Sequence, residues 1–336
     1  MFMKKKKLFL IGEIGINHNG SLKIAKKLIY HASKAGFDAV KFQTYKTENL
    51  IDRKTPVANY QKGKEKKQYN LLKKYELTFS QFIELKKYCI KKKIMFVSTP
   101  FDTESALFLN KNHLKIFKIS SADLDNFHLL SEIKKFNKHI ILSTGMADIF
   151  KLKKTLKFLN LKKNKITILH CISNYPVILK DTQLGFINEI KKTKYNYGLS
   201  DHSTGNEQAV AAIAMGAKVI EKHITLDKRM PGPDHKSSLE VKNFTNFIKT
   251  ISDVYISINN SKKKMNFNEK KILEVTQRRI FCKKDINKNK KIKMSDIIAM
   301  RSSNKKILKI DKIFQIIGKK SKKNFKKGSF FTKNDI

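Results

Sequence analysis

The stretch Leu8–Gly20 reads LFLIGEIGINHNG. A short apolar run ends in a carboxylate at Glu13, passes through an Asn- and Gly-containing turn, and leads into the amphipathic stretch Leu22–Lys34. That is the signature of a strand followed by a helix. The same unit recurs along the chain. Candidate strands are Leu8–Ile14, Asp38–Gln43, Ile94–Ser98, Ile116–Ile119, His139–Ser143, Ile166–Cys171, Asn196–Ser200 and Val219–His223. Helical patterns lie between them at Ser80–Lys91, Glu104–Asn110, Ile149–Leu159, Asp181–Lys192 and Asn206–Met215. Eight strand–helix units in roughly 250 residues predict an α/β fold, a (β/α)8 TIM barrel.

Beyond the barrel, the lysine- and asparagine-rich residues 259–277 read as a linker, with little apolar periodicity. Residues 278–336 read as a small, mostly β domain. At that size it is marginal alone and expected to be stabilised by packing on another surface. The predicted boundaries are therefore 1–258, 259–277 and 278–336.

The chain of 336 residues carries a formal charge of +44. Nearly all the positive charge is lysine, since arginine occurs only at Arg53, Arg229, Arg278, Arg279 and Arg301. The lysines are scattered, without the arginine forks and stacked aromatics of base readers, so no nucleic acid is expected as partner. Such a charge would help to collect an anionic substrate. Cys89, Cys171 and Cys282 are far apart in sequence and predict neither a disulfide framework nor a metal cluster. The run Leu8–Ile11 is too short for a signal-peptide core, and no stretch approaches the ~18 apolar residues of a membrane span. The expectation is a cytoplasmic protein with no membrane partner.

A parallel barrel places its active site at the carboxyl ends of its strands. Those ends carry Glu13, Lys41 and Gln43, Ser98 and Thr99, Lys118, Ser120 and Ser121, and Ser143 and Thr144. The remaining ends carry His170, Ser173 and Tyr175, then Ser200, Asp201 and His202, then Glu221, Lys222 and His223. One lysine there reads equally well as half of a core ion pair. Two, with hydroxyls from neighbouring strands, suit a phosphate and a carboxylate. His202 and His223 occupy corresponding places on consecutive strands, near Glu221 and Asp234. Alone, each reads as a hydrogen-bonded structural histidine; as a pair they suit a divalent metal. With no thiolate expected beside them, the set favours manganese or magnesium. The NHNG turn at Asn17–Gly20 reads as an ordinary strand–helix turn.

The segments EIGINHNG (Glu13–Gly20), KFQT (Lys41–Thr44), STPFD (Ser98–Asp102), FKISS (Phe117–Ser121) and LSTGM (Leu142–Met146) resemble the sialic acid synthase family. So do LHCISNYP (Leu169–Pro176), GLSDHS (Gly198–Ser203), IEKHITLD (Ile220–Asp227) and PGPDH (Pro231–His235). The family includes N-acetylneuraminate, legionaminate and pseudaminate synthases. The resemblance implies a transferase that condenses phosphoenolpyruvate with an N-acyl amino sugar, giving a nine-carbon sugar acid. The alternatives are a related synthase acting on a sugar phosphate, or a degenerate sugar-binding protein.

By the same resemblance, phosphoenolpyruvate falls on Lys41, Lys118, Ser121 and Ser143, with Ser173 and Ser200 nearby. Glu13, Gln43, Tyr175 and Asp234 match sugar-facing positions. Glu221 matches an acid suited to proton transfer or to activating water, and His202 and His223 match metal ligands. Glu13, Glu221, Lys41 and Lys118 form the expected catalytic set. Residues 278–336 resemble the family's antifreeze-like (SAF) domain. There the resemblance implies a domain-swapped homodimer, with Arg301 reaching the sugar's N-acyl group.

Overall fold

The computed structural model describes residues 8–57, 65–259 and 263–335. The chain divides into two compact units, residues 1–259 and 260–336.

Eight parallel strands form the first unit: β1 (Phe9–Gly15), β2 (Ala39–Thr44), β3 (Met95–Pro100), β4 (Ile116–Ile119), β5 (His139–Ser143), β6 (Ile166–His170), β7 (Asn196–Asp201) and β8 (Val219–Thr225). Each pairs with the next, and β1 pairs with β8, so the sheet closes into the predicted (β/α)8 barrel. A two-residue strand, β9 (Leu239–Glu240), adds to the end of β8.

Side chains alternate between the two faces of a strand, and this alternation sorts the barrel into two cores. Phe9, Ile11, Ala39, Val97, Ile116, Ile141, Leu169 and Val219 pack together inside the barrel. Leu10, Val40, Phe42, Phe96, Phe117, Ile140, Ile168 and Ile220 belong to the layer shared with the helices. Following the inner set two residues further along each strand gives Glu13, Lys41, Thr99, Lys118, Ser143, Cys171 and Glu221. The inside is thus apolar at the amino end of the strands and polar at the carboxyl end.

The same parity excludes Asp201 and Lys222 from the mouth. They form a buried ion pair on the outer face, Lys222 Nζ lying 2.6 Å from Asp201 Oδ2. The ammonium also donates to the carbonyls of Ser203 and Gly205, at 2.9 and 2.8 Å. It lies over the Phe247 ring, so this pair serves the packing of the helix Phe244–Ile258.

Helices start where side-chain caps satisfy their first amides. Ser21, Asp102 and Asp148 cap the helices Leu22–Ala35, Thr103–Lys111 and Ile149–Leu159. Thr78 and Gln81 form a capping box on the helix Phe79–Lys91. Helices beyond the sequence expectation include Gln68–Tyr75, which buries Leu71, Leu72 and Tyr75, and two longer ones. Phe127–Lys135 buries Leu129, Leu130 and Ile133. Phe244–Ile258 buries Phe244, Phe247 and Ile251, and the Phe244 ring meets Phe37 edge-on at 5.3 Å. Its apolar residues Phe244, Phe247, Ile248, Ile251, Val254, Tyr255 and Ile258 keep the spacing of one helix face.

In the second unit, the segment read as a linker contains a helix, Phe267–Thr276, opened by an Asn266–Glu269 capping box. Two antiparallel strands follow, β10 (Arg278–Cys282) and β11 (Ile297–Arg301), in register from Arg278 opposite Arg301 to Cys282 opposite Ile297. This unit has an apolar core of its own. Ile280, Cys282, Ile286, Ile292, Ile297, Leu308, Ile316, Phe325 and Phe331 form a separate apolar cluster. No helix among the described residues is long and apolar enough to cross a membrane.

Candidate active site at the mouth of the barrel

Four charged groups, each almost wholly buried, meet where the inner face turns polar. Lys41 Nζ lies 2.7 Å from Glu13 Oε1 and 3.8 Å from Glu221 Oε1. Lys118 Nζ approaches Glu221 Oε1 from another side, at 3.7 Å, and donates to Ser143 Oγ at 2.6 Å. Thr99 Oγ1 accepts from Lys41 at 3.3 Å. Ser200 Oγ donates to Glu221 Oε1 at 3.0 Å, and Gln43 Nε2 donates to Glu13 Oε1 at 3.4 Å. Each carboxylate keeps its second oxygen, Oε2, buried without a hydrogen-bond partner. Such atoms are costly to leave unpaired in a finished core and are what a substrate or water would engage.

The environment separates the two acids. Burial pushes the Glu13 carboxyl above its usual range, against the pull of Lys41. Burial acts the same way on Glu221, but Lys118 and Lys41 outweigh it and hold that carboxyl low. The lysines diverge as well. Burial opposes the charge on Lys41, yet Glu13 and Glu221 raise it, whereas burial lowers Lys118. Pairs of groups driven apart in this way are typical of acid–base sites.

Beside Lys118 and Ser143 lies a pocket of hydroxyls. Ser121 Oγ accepts from the Gly145 amide at 2.9 Å. A Cβ on Gly145 would stand 2.7 Å from Ser121 Oγ and 2.2 Å from Ser173 Oγ, so only glycine leaves this hollow open. Ser121 and Ser143 are buried, and Ser173 is half-buried.

Across the mouth, the rings of His202 and His223 are 5.5 Å apart, with Tyr175 packed on both at 4.1 and 5.6 Å. His202 Nδ1 lies 2.7 Å from the Ile172 carbonyl. A carbonyl only accepts, so Nδ1 carries a proton; burial opposes the charge on His202, but Cys171 beside it raises the ring above its usual pKa. His223 Nδ1 is buried without a hydrogen-bond partner, and burial with His202 beside it holds that ring well below its usual pKa. Asp234 Oδ2 stands 4.0 Å from His223 Nδ1. Burial and the charge of Glu13 push Asp234 up to about 6. A Cβ on Gly15, which has φ of +53°, would fill the space between Glu13, Gln43 and His223.

Among the described residues, no group of three or more His, Cys, Asp or Glu side chains could by itself hold a metal. Two imidazoles, that of His223 with an orphaned nitrogen, nevertheless fit a cation whose remaining positions come from water or substrate.

The sequence reading missed Cys171. Its Sγ is 3.8 Å from His202 Nδ1 and accepts from Ser121 Oγ at 3.7 Å. The expectation of no thiol beside the histidines is therefore corrected. The β6–β7 pairing brings the strands together and inner parity turns Cys171 inward. The thiol addresses Nδ1, the nitrogen already committed to Ile172, and leaves Nε2 free. Arg301, the other candidate outside the barrel, is exposed at the end of β11 in the second unit. The mouth thus brings together the barrel residues of the expected catalytic, substrate and metal sets, namely Glu13, Lys41, Gln43, Lys118, Ser121, Ser143, Ser173, Tyr175, Ser200, His202, Glu221, His223 and Asp234, whereas Asp201 and Lys222 at the same strand ends pair on the outer face.

Fold and mouth together define a class: a (β/α)8 barrel enzyme whose mouth gathers buried lysines, hydroxyls and carboxylates. Residues 28–263 match the NeuB family. The chain is 38% identical over 328 residues to the N,N'-diacetyllegionaminic acid synthase of Campylobacter jejuni, covering 96% of this chain and 98% of that protein. It is 35% identical over 302 residues to the protein of the same name from Legionella pneumophila, covering 87% and 85%. The crystal structure of the N-acetylneuraminic acid synthetase of Leptospira borgpetersenii, in complex with citrate, superposes with a TM-score of 0.72 at 32% identity. It covers 80% of this chain and 91% of that one. The chain belongs to the NeuB family, and is an enzyme of the transferase type that forms carbon–carbon bonds.

Proposed function

We propose that the protein condenses phosphoenolpyruvate with the open-chain form of an N-acyl amino sugar, giving a nonulosonic acid and phosphate. The observation that carries this reading is the pair of buried lysines, Lys41 and Lys118, flanking Glu221 beside the Ser121–Gly145–Ser173 hollow. Two ammonium groups with neutral hydroxyl donors suit the carboxylate and phosphate of one small molecule.

In this reading, C3 of phosphoenolpyruvate attacks the aldehyde carbon of the sugar and forms the new carbon–carbon bond. The aldehyde oxygen takes a proton and becomes a hydroxyl. Water adds at C2 and gives up a proton. The bond from C2 to the phosphate oxygen then breaks, the proton of the C2 hydroxyl leaves with the phosphate, and C2 becomes the ketone. Glu13, raised by burial, carries the proton for the aldehyde oxygen. Glu221, held ionised by the lysines, takes the proton from water through its free Oε2. Lys118, Lys41, Ser143 and Ser121 hold the anions in place throughout, so most of the catalysis is positioning and electrostatics. Gln43, Tyr175 and Asp234 line the sugar side, and Ser200 orients Glu221. His202 and His223 would hold a divalent cation, manganese or magnesium, which supplies Lewis-acid polarisation of a carbonyl oxygen.

The two relatives named as N,N'-diacetyllegionaminic acid synthases support a diacetamido-trideoxyhexose as the sugar, ahead of N-acetylmannosamine. Phosphate release from phosphoenolpyruvate with manganese tests this, each sugar being supplied in turn. The diacetamido sugar should give the higher kcat/KM, and release that is independent of any sugar would overturn the proposal.

The proposal includes a domain-swapped homodimer, in which the antifreeze-like tail brings Arg301 to the partner's sugar site. This part rests on the family resemblance. Mixing inactive Arg301→Ala and Lys118→Ala variants under subunit exchange should restore activity, because one site of the mixed dimer is then intact. Confirmed exchange without recovery would refute it.

A further inference from the structure

The NHNG turn after β1 is more than a connection. Asn17 is 1% exposed, and its side-chain amide donates to the Ile224 carbonyl at 2.9 Å and to Ser238 Oγ at 2.8 Å. A carbonyl only accepts, so Nδ2 must face Ile224 and the amide orientation is fixed. The amide oxygen is left buried without a partner. Ser238 Oγ in turn donates to the carbonyl of Asp234 at 2.6 Å. Ile224 follows His223 on β8, so one side chain bridges the strand that carries His223 and the loop that carries Asp234.

Asn19, two residues on, grips the middle of the same loop. It donates from Nδ2 to the Pro231 carbonyl at 2.9 Å, and its Oδ1 lies 3.1 Å from His235 Nε2. The other nitrogen of His235 is 2.7 Å from Thr225 Oγ1. Gly232 fits against this clasp, where a Cβ would stand 2.7 Å from His235 Cδ2. Both ends and the middle of the loop 226–238 are therefore tied to β1 and β8. The loop delivers one buried charge to the mouth, the carboxylate of Asp234 beside His223.

We propose that Asn17 is a positioning residue for the amino sugar, acting through Ser238 to hold the Asp234 carboxylate against the His223 side of the mouth. This rests on the reading of Asp234 as a sugar-facing group. Asn17→Asp keeps the shape of the side chain and removes both N–H donors. The Ser238 hydroxyl then turns to the new carboxylate and releases the Asp234 carbonyl. Ser238→Ala breaks the same link from the other side, and Ser238→Thr retains the hydroxyl.

The test is steady-state kinetics with each substrate varied separately. Asn17→Asp and Ser238→Ala should raise KM for the amino sugar about tenfold, the equivalent of one net hydrogen bond, and leave KM for phosphoenolpyruvate unchanged. Ser238→Thr should restore the native KM. In an Asp234→Ala background, Asn17→Asp should add nothing further. Equal changes for both substrates, or additivity with Asp234→Ala, would overturn the inference by showing a merely structural role. Wild-type turnover on the same substrates tests the functional reading separately. A crystal structure of the Asn17→Asp variant decides the clamp independently of turnover. Displacement of the Asp234 carboxylate from His223 supports it, and an unmoved carboxylate refutes it.

Discussion

Lys118→Met removes one positive charge from the mouth while keeping a side chain of similar length and volume. In the native enzyme Lys118 Nζ stands 3.7 Å from Glu221 and donates to Ser143 at 2.6 Å. Two lysines there face the carboxylates of Glu13 and Glu221. With one lysine gone, a single ammonium is left to face both the ionised Glu221 and a substrate that is itself anionic. The Coulomb term for a pair at this separation is on the order of 4 kcal/mol at an effective dielectric of about 20. A charge-assisted hydrogen bond lost from the substrate accounts for about 2 kcal/mol. These bounds translate to a fall in kcat/KM for phosphoenolpyruvate of roughly 30- to 1,000-fold. The assay is phosphate release with phosphoenolpyruvate varied at saturating sugar, on protein whose thermal unfolding matches the wild type. A folded Lys118→Met enzyme within threefold of native kcat/KM would refute the assignment of Lys118 to the substrate anion.

Three further outcomes follow from the same geometry. His202→Ala or His223→Ala should abolish both turnover and manganese binding, the latter read by electron paramagnetic resonance of free manganese; activity that survives a chelator in the native enzyme would remove the metal from the account. Gly145→Ala puts a methyl group into the hollow between Ser121 and Ser173, and should lower kcat/KM for phosphoenolpyruvate at least about 100-fold without a matching loss of stability. Lys222→Met leaves Asp201 buried and unpaired on the outer face, and should cost about 3–5 kcal/mol in a urea titration, far more than an exposed lysine would.

The barrel was legible because most strands run from apolar residues into a polar one near the carboxyl end. The apolar-to-polar switch along Phe9–Ile11–Glu13 and Val219–Glu221–His223 is visible in the chain itself. What the sequence hid depends on parity and pairing. Asp201 and Lys222 sit among site residues in sequence, yet alternate residues of a strand face opposite ways, and these two join the helix layer. Cys171 lies 31 residues from His202, and only the β6–β7 pairing reveals the contact. The role of Asn17 was hidden for the same reason, since its partners lie 207 and 221 residues away. The helix Phe267–Thr276 had a readable start in Asn266–Glu269, but its lysines and single-residue apolar spacing gave no buried face.

The central claim is that this mouth joins C3 of phosphoenolpyruvate to a sugar aldehyde. Phosphoenolpyruvate labelled with carbon-13 at C3, incubated with a diacetamido-trideoxyhexose labelled at C1, tests it by nuclear magnetic resonance. The account predicts direct coupling between the two labels in a nine-carbon acid, formed in step with one equivalent of phosphate. Phosphate released while the two labels remain uncoupled would contradict it.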